Sequence, residues 1–301
     1  MISSVLLAAA IAAGCPEQTR ALNSAADVIE RTYLDARVAG QIAADVRAWA
    51  RAGRYSDVCQ DRDAFMARFN RDLDVYDGHF HFERPGVEDT GDDWLTAWRA
   101  ESRKVNAGVR EVRVLEGNVG YLRLTSFYPW DLAGPKLKAA FALLAETDGL
   151  ILDLRQNGGG DDQTAGQLAG AFLGPDVTAV QDVDMRGRKE ADPLPKLDLP
   201  RYSADRRVAV LVDRRSASAS EFVAYSLQAA GRAKVIGSRS GGAAHLLDDP
   251  IPVAGGYAIM VPNARPINRT TGGNWEGRGV RPDMPGGDDP LHVARQWLAQ
   301  R

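Results

Sequence analysis

The alternation of apolar and polar positions divides the chain into a helical first part and a later part in which strands alternate with helices. Apolar residues recur at helical spacing through residues 22–70, and the breaks at Gly53 and at 55–57 separate the helices. This pattern predicts a helical N-terminal domain over residues 16–72. The residues of this domain do not indicate a function for it.

From residue 109 onwards, short apolar runs are separated by turn residues and by stretches of helical spacing. Strand–loop–helix units recur from 119 to 237, and this recurrence predicts an α/β fold. The predicted elements are a hairpin at 112–124, a helix at 136–146, a buried strand at 149–155, a helix at 162–173, a strand-bearing excursion at 174–206, a strand at 257–261, a polar loop at 265–278 and a closing helix at 290–300.

Residues 207–245 form the unit around which this part is organised. A buried strand at 208–212 leads into a turn that contains Ser216, Ser218 and Ser220, and a helix and a second strand follow. A serine at a strand-to-helix turn can expose its hydroxyl, and the first N–H groups of the helix then point at the group that it attacks. The alternative is that all three serines are helix caps.

The composition is that of an ordinary globular protein, with 45% hydrophobic and 26% charged residues in a chain of 301. Lysine and arginine number 37 against 40 acidic residues, so the formal net charge is −3. A chain with this balance has no general attraction to nucleic acid or to an acidic membrane surface. We therefore predict no nucleic-acid partner.

The first fifteen residues resemble a signal segment, because an apolar run at 5–13 is followed by small residues and Cys15. This favours export, as a periplasmic protein or as a lipoprotein anchored through Cys15. An ordinary N-terminal helix of a cytoplasmic protein is the alternative. The second cysteine, Cys59, is either a buried thiol or the partner of Cys15 in a lone disulfide.

Two of the four histidines, His79 and His81, are placed to share one face of a short predicted strand at 79–82. A serine nucleophile needs a base at neutral pH, and histidine titrates in that range. The same pair is also typical of a zinc site, but the sequence offers no obvious third and fourth ligand. We predict no metal and no cofactor.

Two further segments carry residues suited to this chemistry. The glycine run after Asn157 lies between a predicted strand and a helix, where backbone N–H groups can face a pocket and form an oxyanion hole; a plain flexible loop is the alternative. Glu276 stands beside Trp275 and glycines, and a carboxylate can hold a histidine in the required tautomer. A solvated loop acid is the alternative for Glu276.

Three motifs, in order, resemble those of the tail-specific or C-terminal processing serine peptidase family. They are Leu150–Gly160 with its sequence LILDLRQNGGG, Leu211–Glu221 with its sequence LVDRRSASASE, and Gly277–Asp283 with its sequence GRGVRPD. The resemblance covers residues 73 to about 285. It implies a crotonase-like spiral core of strand-strand-helix units over 73–301, behind the helical N-terminal domain.

The family has two catalytic branches. One uses a Ser–Lys dyad, but the position expected to hold the lysine is Ala243 in this chain. The tricorn-like branch uses a serine, an upstream histidine and a downstream glutamate, and this chain has Ser218, His79 and Glu276 in that order. Gly78 occupies the place of a bridging serine, so the link between His79 and Glu276 is direct, through water or through a neighbour such as Asp77.

The resemblance therefore implies a serine peptidase in which Ser218 is the nucleophile, His79 the base and Glu276 the orienting acid. The expected oxyanion donors are the N–H of Ala219 and a glycine N–H from Gly158 or Gly159, with Gly159 preferred. The expected substrates are unstructured peptides or protein tails, bound in an extended form.

A non-catalytic binder of apolar ligands is the alternative on the same fold, since the family includes a retinoid-binding protein. In that case Tyr128, Trp130 and Trp275 would line an apolar pocket.

Overall fold

The computed structural model describes residues 15–84 and 92–300, so the predicted signal segment lies outside the described residues except for Cys15. The described helices are α1 (Pro16–Thr32), α2 (Ala36–Arg51), α3 (Arg62–Leu73), α4 (Asp92–Lys104), α5 (Trp130–Leu144), α6 (Asp162–Phe172), α7 (Ala219–Ala229) and α8 (Pro290–Ala299). The described strands are β1 (His81–Glu83), β2 (Val109–Leu115), β3 (Val119–Leu124), β4 (Gly149–Asp153), β5 (Ala179–Met185), β6 (Arg188–Pro193), β7 (Arg207–Val212), β8 (Lys234–Gly237), β9 (Leu246–Leu247), β10 (Ile251–Val253), β11 (Tyr257–Met260), β12 (Pro262–Asn268) and β13 (Met284–Pro285).

Aspartate side chains determine where four of the helices begin. Asp35, Asp61, Asp161 and Asp289 precede α2, α3, α6 and α8, and each accepts a hydrogen bond from a backbone N–H of the first turn. These N–H groups have no partner inside the helix, so a carboxylate at this position stabilises the helix start.

The described residues form two compact units, and the smaller one comprises 15–84, 184–189 and 245–265. In its antiparallel sheet, β11 lies between β1 and β10. The tip of the β5–β6 hairpin belongs here as well, because the Arg186 side chain donates to the carbonyl of Glu30 at 3.2 Å. A single cut between residues 72 and 73, as predicted, does not reproduce this unit.

Aromatic side chains fill the core of the smaller unit. Phe65, Phe69, Phe82 and Tyr257 are all less than 2% exposed, and their rings meet edge-on or stacked with centroids 4.9–6.2 Å apart. Aromatic pairs in these geometries contribute about 0.5–1.5 kcal/mol each beyond the burial of their area. The same rings come from α3, β1 and β11, which explains why these distant segments pack as one unit.

A disulfide joins Cys15 to Cys59 in the smaller unit. Of the alternatives that the sequence left open for the two cysteines, the structure has the lone disulfide. The sulfur of Cys15 is used in this bond, so the same atom cannot carry a thioether-linked lipid. None of the helices among residues 15–84 and 92–300 combines the length and the apolar character needed to cross a membrane.

The larger unit, 92–183, 190–244 and 266–300, is built on a six-stranded sheet. The strand order is β13-β8-β7-β4-β3-β2, with β2 antiparallel to β3 and all other neighbours parallel. Leu150 and Leu152 of β4 pack against the layer of α5, α6 and α7, whereas Ile151 packs against α8. Both faces of the central strands are therefore buried, which is why their sequences are continuous apolar runs.

The predicted α/β class is confirmed, and the hairpin at β2–β3 and the strands β4 and β7 lie where the sequence places them. Two predictions need correction. The helix predicted from Lys136 begins at Trp130, because the N–H groups of Leu132 and Ala133 both donate to the carbonyl of Pro129. The loop predicted at 265–278 begins as strand, since β12 continues to Asn268 with alternating burial.

The parallel strands bring two loops to one edge of the sheet. The carboxyl ends of neighbouring parallel strands lie side by side, so the loops that follow β4 and β7 meet there. The N–H of Ala217, after β7, donates to the carbonyl of Asn157, after β4, at 3.0 Å. The glycine run and the serine turn are therefore held against each other.

We predict that breaking the disulfide lowers the stability of the smaller unit. The bond closes a loop over a sequence separation of 44 residues. A cross-link of this span restricts the unfolded chain and is expected to contribute about 3–4 kcal/mol. The measurement is the thermal midpoint of the protein with and without a thiol reductant. The variant in which both cysteines are serine should start at the lower midpoint and should not respond to the reductant; equal midpoints for all samples would contradict the prediction.

Candidate active site

Of the three serines in the turn before α7, Ser218 alone exposes its side chain. Ser216 and Ser220 are fully buried, and their hydroxyls donate to the carbonyls of Leu154 and Asn157, each at 2.8 Å. These two hydroxyls therefore hold the turn against the loop after β4. The structure thus separates one surface hydroxyl from two structural ones, which the sequence pattern did not do.

The backbone of Ser218 is strained. It has φ 53° and ψ −121°, a conformation that residues with a side chain rarely adopt. Hydrogen bonds hold it on both sides: its N–H donates to a Glu221 oxygen at 2.9 Å, and its carbonyl accepts the N–H of Phe222 at 2.9 Å. A serine on a strained strand-to-helix turn is the arrangement by which many hydrolases expose a nucleophile.

Gly159 packs directly against this turn. A Cβ on Gly159 would lie 2.8 Å from the Cβ of Ser218 and 2.9 Å from the carbonyl oxygen of Ala217, and the residue has φ +105°. Both the contact and the backbone angle require glycine at this position. The motif therefore has a glycine here because the strained serine turn leaves no room for a side chain.

The prediction that the Gly159 N–H is an oxyanion donor is corrected by the structure. This N–H donates to the side-chain oxygen of Asn157 at 2.9 Å and so points into the buried loop. The Ala219 N–H is different, because Ala219 is the first residue of α7 and helices leave such N–H groups without an internal acceptor. Of Ala219 and Gly159, only Ala219 keeps that role as a prediction.

A buried carboxylate, Glu221, anchors the turn. Its two oxygens accept the N–H of Ser218 at 2.9 Å, the hydroxyl of Ser240 at 2.5 Å, and the N–H groups of Gly242 and Ala243 at 2.7 and 2.8 Å. Burial raises the pKa of this carboxyl and these hydrogen bonds lower it. The effect of burial is the larger one, so the pKa lies above its ordinary value. Glu221 therefore joins the serine turn to the loop at 240–243.

Ala243 and Glu276 take part in the same loop. The carbonyl of Ala243, the residue at the expected lysine position, accepts the indole N–H of Trp275 at 2.9 Å. The Glu276 side chain is half-buried and accepts the N–H of Ala244 at 2.7 Å. Glu276 is thus more than a solvated loop acid, and its predicted role toward His79 stays a prediction.

His79, in the smaller unit, is half-buried and lies in a turn before β1. The strand predicted at 79–82 begins only at His81, because the Asp77 side chain accepts the N–H of His79 at 3.0 Å and forms a local turn. His81 is exposed and pairs with Glu83 at 3.3 Å. The two histidines therefore do not share a strand face, and the zinc pair considered for them is not formed.

Asp77 is the carboxylate that binds the His79 ring. Its side chain is 1% exposed; Oδ1 lies 2.8 Å from His79 Nδ1, and Oδ2 lies 2.7 Å from His245 Nδ1. Burial alone would raise the pKa of Asp77, but hydrogen bonds from His245 and His79 hold it well below its ordinary value. Asp77 is therefore ionised at neutral pH and accepts from both rings.

Asp77, His79 and His245 are also the residues of the smaller unit most suited to a transition-metal ion. Each offers an oxygen or nitrogen atom, and these atoms lie within 4.8 Å of one another. Hydrogen bonds of 2.7–2.8 Å already join them. The three residues therefore form a cluster in which each imidazole is hydrogen-bonded to one oxygen of the same carboxylate.

Two of the three aromatic residues considered for an apolar pocket belong to the core of the larger unit. Tyr128 is 7% exposed and Trp275 is 4% exposed. The third, Trp130, donates its indole N–H to Asp198 at 3.3 Å. The structure therefore does not support an apolar pocket lined by these residues.

Sequence reasoning missed two features of the structure, the bond of His245 to Asp77 and the four donors around Glu221. One signal for His245 was available: it is one of only four histidines and it closes the segment in which the family's lysine is absent. The sequence shows Glu221 only as the last residue of the second motif. Three of its four donors lie 19–22 residues further along the chain, so no local pattern reveals them.

Comparisons with known proteins agree with the resemblance found in the sequence. The sequence pattern of Peptidase family S41 matches residues 118–285. The carboxy-terminal-processing protease of Bartonella bacilliformis is 34% identical over 178 residues, which are 56% of this chain and 39% of that protein. The chain thus spans about two fifths of the length of this relative.

Two solved structures share the fold. A lipoprotein from Streptococcus agalactiae superposes with a TM-score of 0.64 at 18% identity, covering 94% of this chain and 96% of that one. The photosystem II D1 C-terminal processing protease superposes with a TM-score of 0.59 at 18% identity, covering 91% and 94%.

We predict that Gly159→Ala lowers the reactivity of Ser218 toward a fluorophosphonate by about 100-fold, because a displacement of the reacting group by about 1 Å costs that much. The new Cβ would collide with Ser218 and Ala217. Gly158→Ala is the matched control, since a Cβ on Gly158 meets nothing within 4 Å. The measurement is the labelling rate of each variant; similar rates for both would contradict the role given to Gly159.

We predict that Asp77→Asn destabilises the protein by about 1–3 kcal/mol at neutral pH, because an amide replaces one acceptor oxygen with a donor that faces buried donors. The pKa of Asp77 is lower in the folded protein than in the unfolded chain, so the folded state binds fewer protons near pH 4. The stability that Asp77 contributes is therefore present above about pH 4 and is lost as the pH falls further.

Urea unfolding from pH 7 to pH 3 tests this prediction. The difference in the free energy of unfolding between wild type and Asp77→Asn should become smaller as the pH falls. Asp74→Asn, at an exposed position three residues earlier, should stay within about 0.5 kcal/mol of wild type. A difference for Asp77→Asn that does not change with pH would show that the carboxylate charge is not involved.

Proposed function

We propose that this chain, which belongs to peptidase family S41, is a serine-type endopeptidase with Ser218 as its nucleophile. The observation that carries the proposal is the exposed Ser218 hydroxyl on a strained turn at the start of α7, beside two serines whose hydroxyls are buried and bound. Helix capping does not require this strain. Strain of about 1–3 kcal/mol persists only where the surrounding structure holds it, and such sites are commonly functional.

In the proposed reaction the Ser218 oxygen attacks the carbonyl carbon of a peptide bond. A tetrahedral intermediate forms, and its negative oxygen accepts a hydrogen bond from the N–H of Ala219 at the start of α7. The position is favourable because the N-terminus of a helix carries partial positive charge. Collapse of this intermediate expels the amine, and water then hydrolyses the acyl-enzyme.

His79 is the proposed base, and its own surroundings support this role. The carboxylate of Asp77 accepts a hydrogen bond from Nδ1, so Nδ1 carries the proton and Nε2 is the basic nitrogen of the neutral ring. His79 would take the proton of Ser218 and return it to the leaving amine. Asp77 supplies an orienting carboxylate in this proposal. Glu276, which the resemblance implies as the orienting acid, is proposed as a second acid beside it.

The proposed substrates are unstructured peptides or protein tails in an exported location. The related protein from Bartonella bacilliformis is named as a carboxy-terminal-processing protease, and such a substrate would have to be unfolded near the cut. The disulfide between Cys15 and Cys59 supports export, because disulfides persist mainly in oxidising compartments. The mixed sheet of the larger unit, with helices on both faces, is compatible with the crotonase-like spiral that we propose for the core.

We predict that Ser218→Ala abolishes cleavage of a reduced, carboxymethylated protein substrate, with a loss of at least about 1000-fold in kcat/KM. The replacement removes only the exposed hydroxyl, so the thermal midpoint should change little. Ser203→Ala is the matched control, since Ser203 is an exposed serine of the same unit.

The same variants are then exposed to a fluorophosphonate and the modified residue is located by mass spectrometry. Label should appear on Ser218 in wild type and in Ser203→Ala. Cleavage that persists in Ser218→Ala, or label on another serine, would refute the assignment of the nucleophile.

A further inference from the structure

His245 has no role in the mechanism described above, yet it binds the same carboxylate as His79. Its Nδ1 lies 2.7 Å from Asp77 Oδ2, across a sequence separation of 168 residues. The side chain is 13% exposed, and its ring centroid lies 5.6 Å from that of His79. A half-buried histidine on a buried carboxylate is a costly arrangement unless the charge and the hydrogen bonds are matched.

The two oxygens of Asp77 have different partners. Oδ1 accepts both the ring Nδ1–H and the backbone N–H of His79, at 2.8 and 3.0 Å. Oδ2 accepts from His245 at 2.7 Å and from the Tyr33 hydroxyl at 3.3 Å. His245 is the closer donor on Oδ2. Without it, this oxygen would keep only the long bond from Tyr33, and the carboxylate could rotate away from His79.

His245 is itself held at a fixed place in the chain. The residue after it, Leu246, begins β9, which pairs with β12. This pairing places the backbone next to His245, and the bond of 2.7 Å to Asp77 places its ring. A donor that is fixed in this way can hold a carboxylate in one orientation.

We propose that His245 is a positioning residue for the His79 base. It donates its Nδ1–H to Oδ2 of Asp77, holds the buried carboxylate in its orientation, and so fixes His79 in the tautomer that has a basic Nε2. The proposal rests on the proposed function for its effect on catalysis, but the arrangement of hydrogen bonds is independent of that function.

The test compares His245→Ala with His245→Asn. The asparagine amide can donate to Oδ2 from nearly the position of Nδ1, but it cannot take up or release a proton at neutral pH. We expect His245→Ala to lower kcat by about 10- to 100-fold, the usual effect of removing a residue that orients a catalytic group, with KM changed by less than about threefold. His245→Asn should recover at least about tenfold of this loss.

His81→Asn is the matched control, because His81 belongs to the same unit, is exposed and pairs with Glu83. Its kcat should stay within about twofold of wild type. Wild-type kinetics in His245→Ala would overturn the proposal. Equal kcat values in the two folded His245 variants would also overturn it. The hydrogen bond that the asparagine donates to Asp77 would then restore no activity.

A second readout separates this proposal from the proposed function. Proton NMR detects an imidazole Nδ1–H that is bound to a carboxylate as a signal far downfield of the amide protons. The His79 signal should weaken or disappear in His245→Ala and should persist in His245→Asn. If the wild type neither cleaves the substrate nor reacts with the fluorophosphonate, the proposed function fails. The NMR result then decides the role of His245: an unchanged His79 signal in His245→Ala overturns it.

Discussion

The serine turn depends on the buried carboxylate of Glu221. A carboxylate without partners in a protein interior is strongly unfavourable, so its oxygens need donors. Ser218, Ser240, Gly242 and Ala243 supply them, three through backbone N–H groups. The need to satisfy one charge therefore determines the path of two loops. It also helps to hold Ser218 in a backbone conformation that it would not adopt alone.

The smaller unit uses the same physical device around Asp77. Its oxygens accept from two imidazoles, a backbone N–H and a tyrosine hydroxyl. In both cases the groups around the carboxylate are hydrogen-bond donors, because an ionised carboxylate can only accept hydrogen bonds. For a histidine this selection has a chemical consequence, since it determines which ring nitrogen carries the proton.

Glycine has a different role from the one expected of it. The run after Asn157 was expected to direct an N–H of Gly159 toward an oxyanion, but that N–H is bound within the loop. What Gly159 provides is the absence of a side chain where Ser218 and Ala217 approach most closely. The motif is thus explained by packing and by a positive φ.

The sequence by itself determined the central strands of the larger unit, because burial on both faces leaves a continuous apolar run such as that of β4 or β7. It also placed the serine turn between β7 and α7, since the change from strand to helical periodicity is local. It did not determine which serine is exposed. The hydroxyls of Ser216 and Ser220 are buried because carbonyls of the loop after β4 lie within their reach, and this depends on the packing of two loops.

The tertiary structure decided every feature that depends on partners distant in the chain. Asp77 and His245 are 168 residues apart, and no spacing rule connects them. The pairing of Cys15 with Cys59 and the packing of β11 beside β1 are of the same kind. A periodic pattern reports whether a residue is buried, but a hydrogen bond also needs distance and direction, and these follow only from how the elements pack.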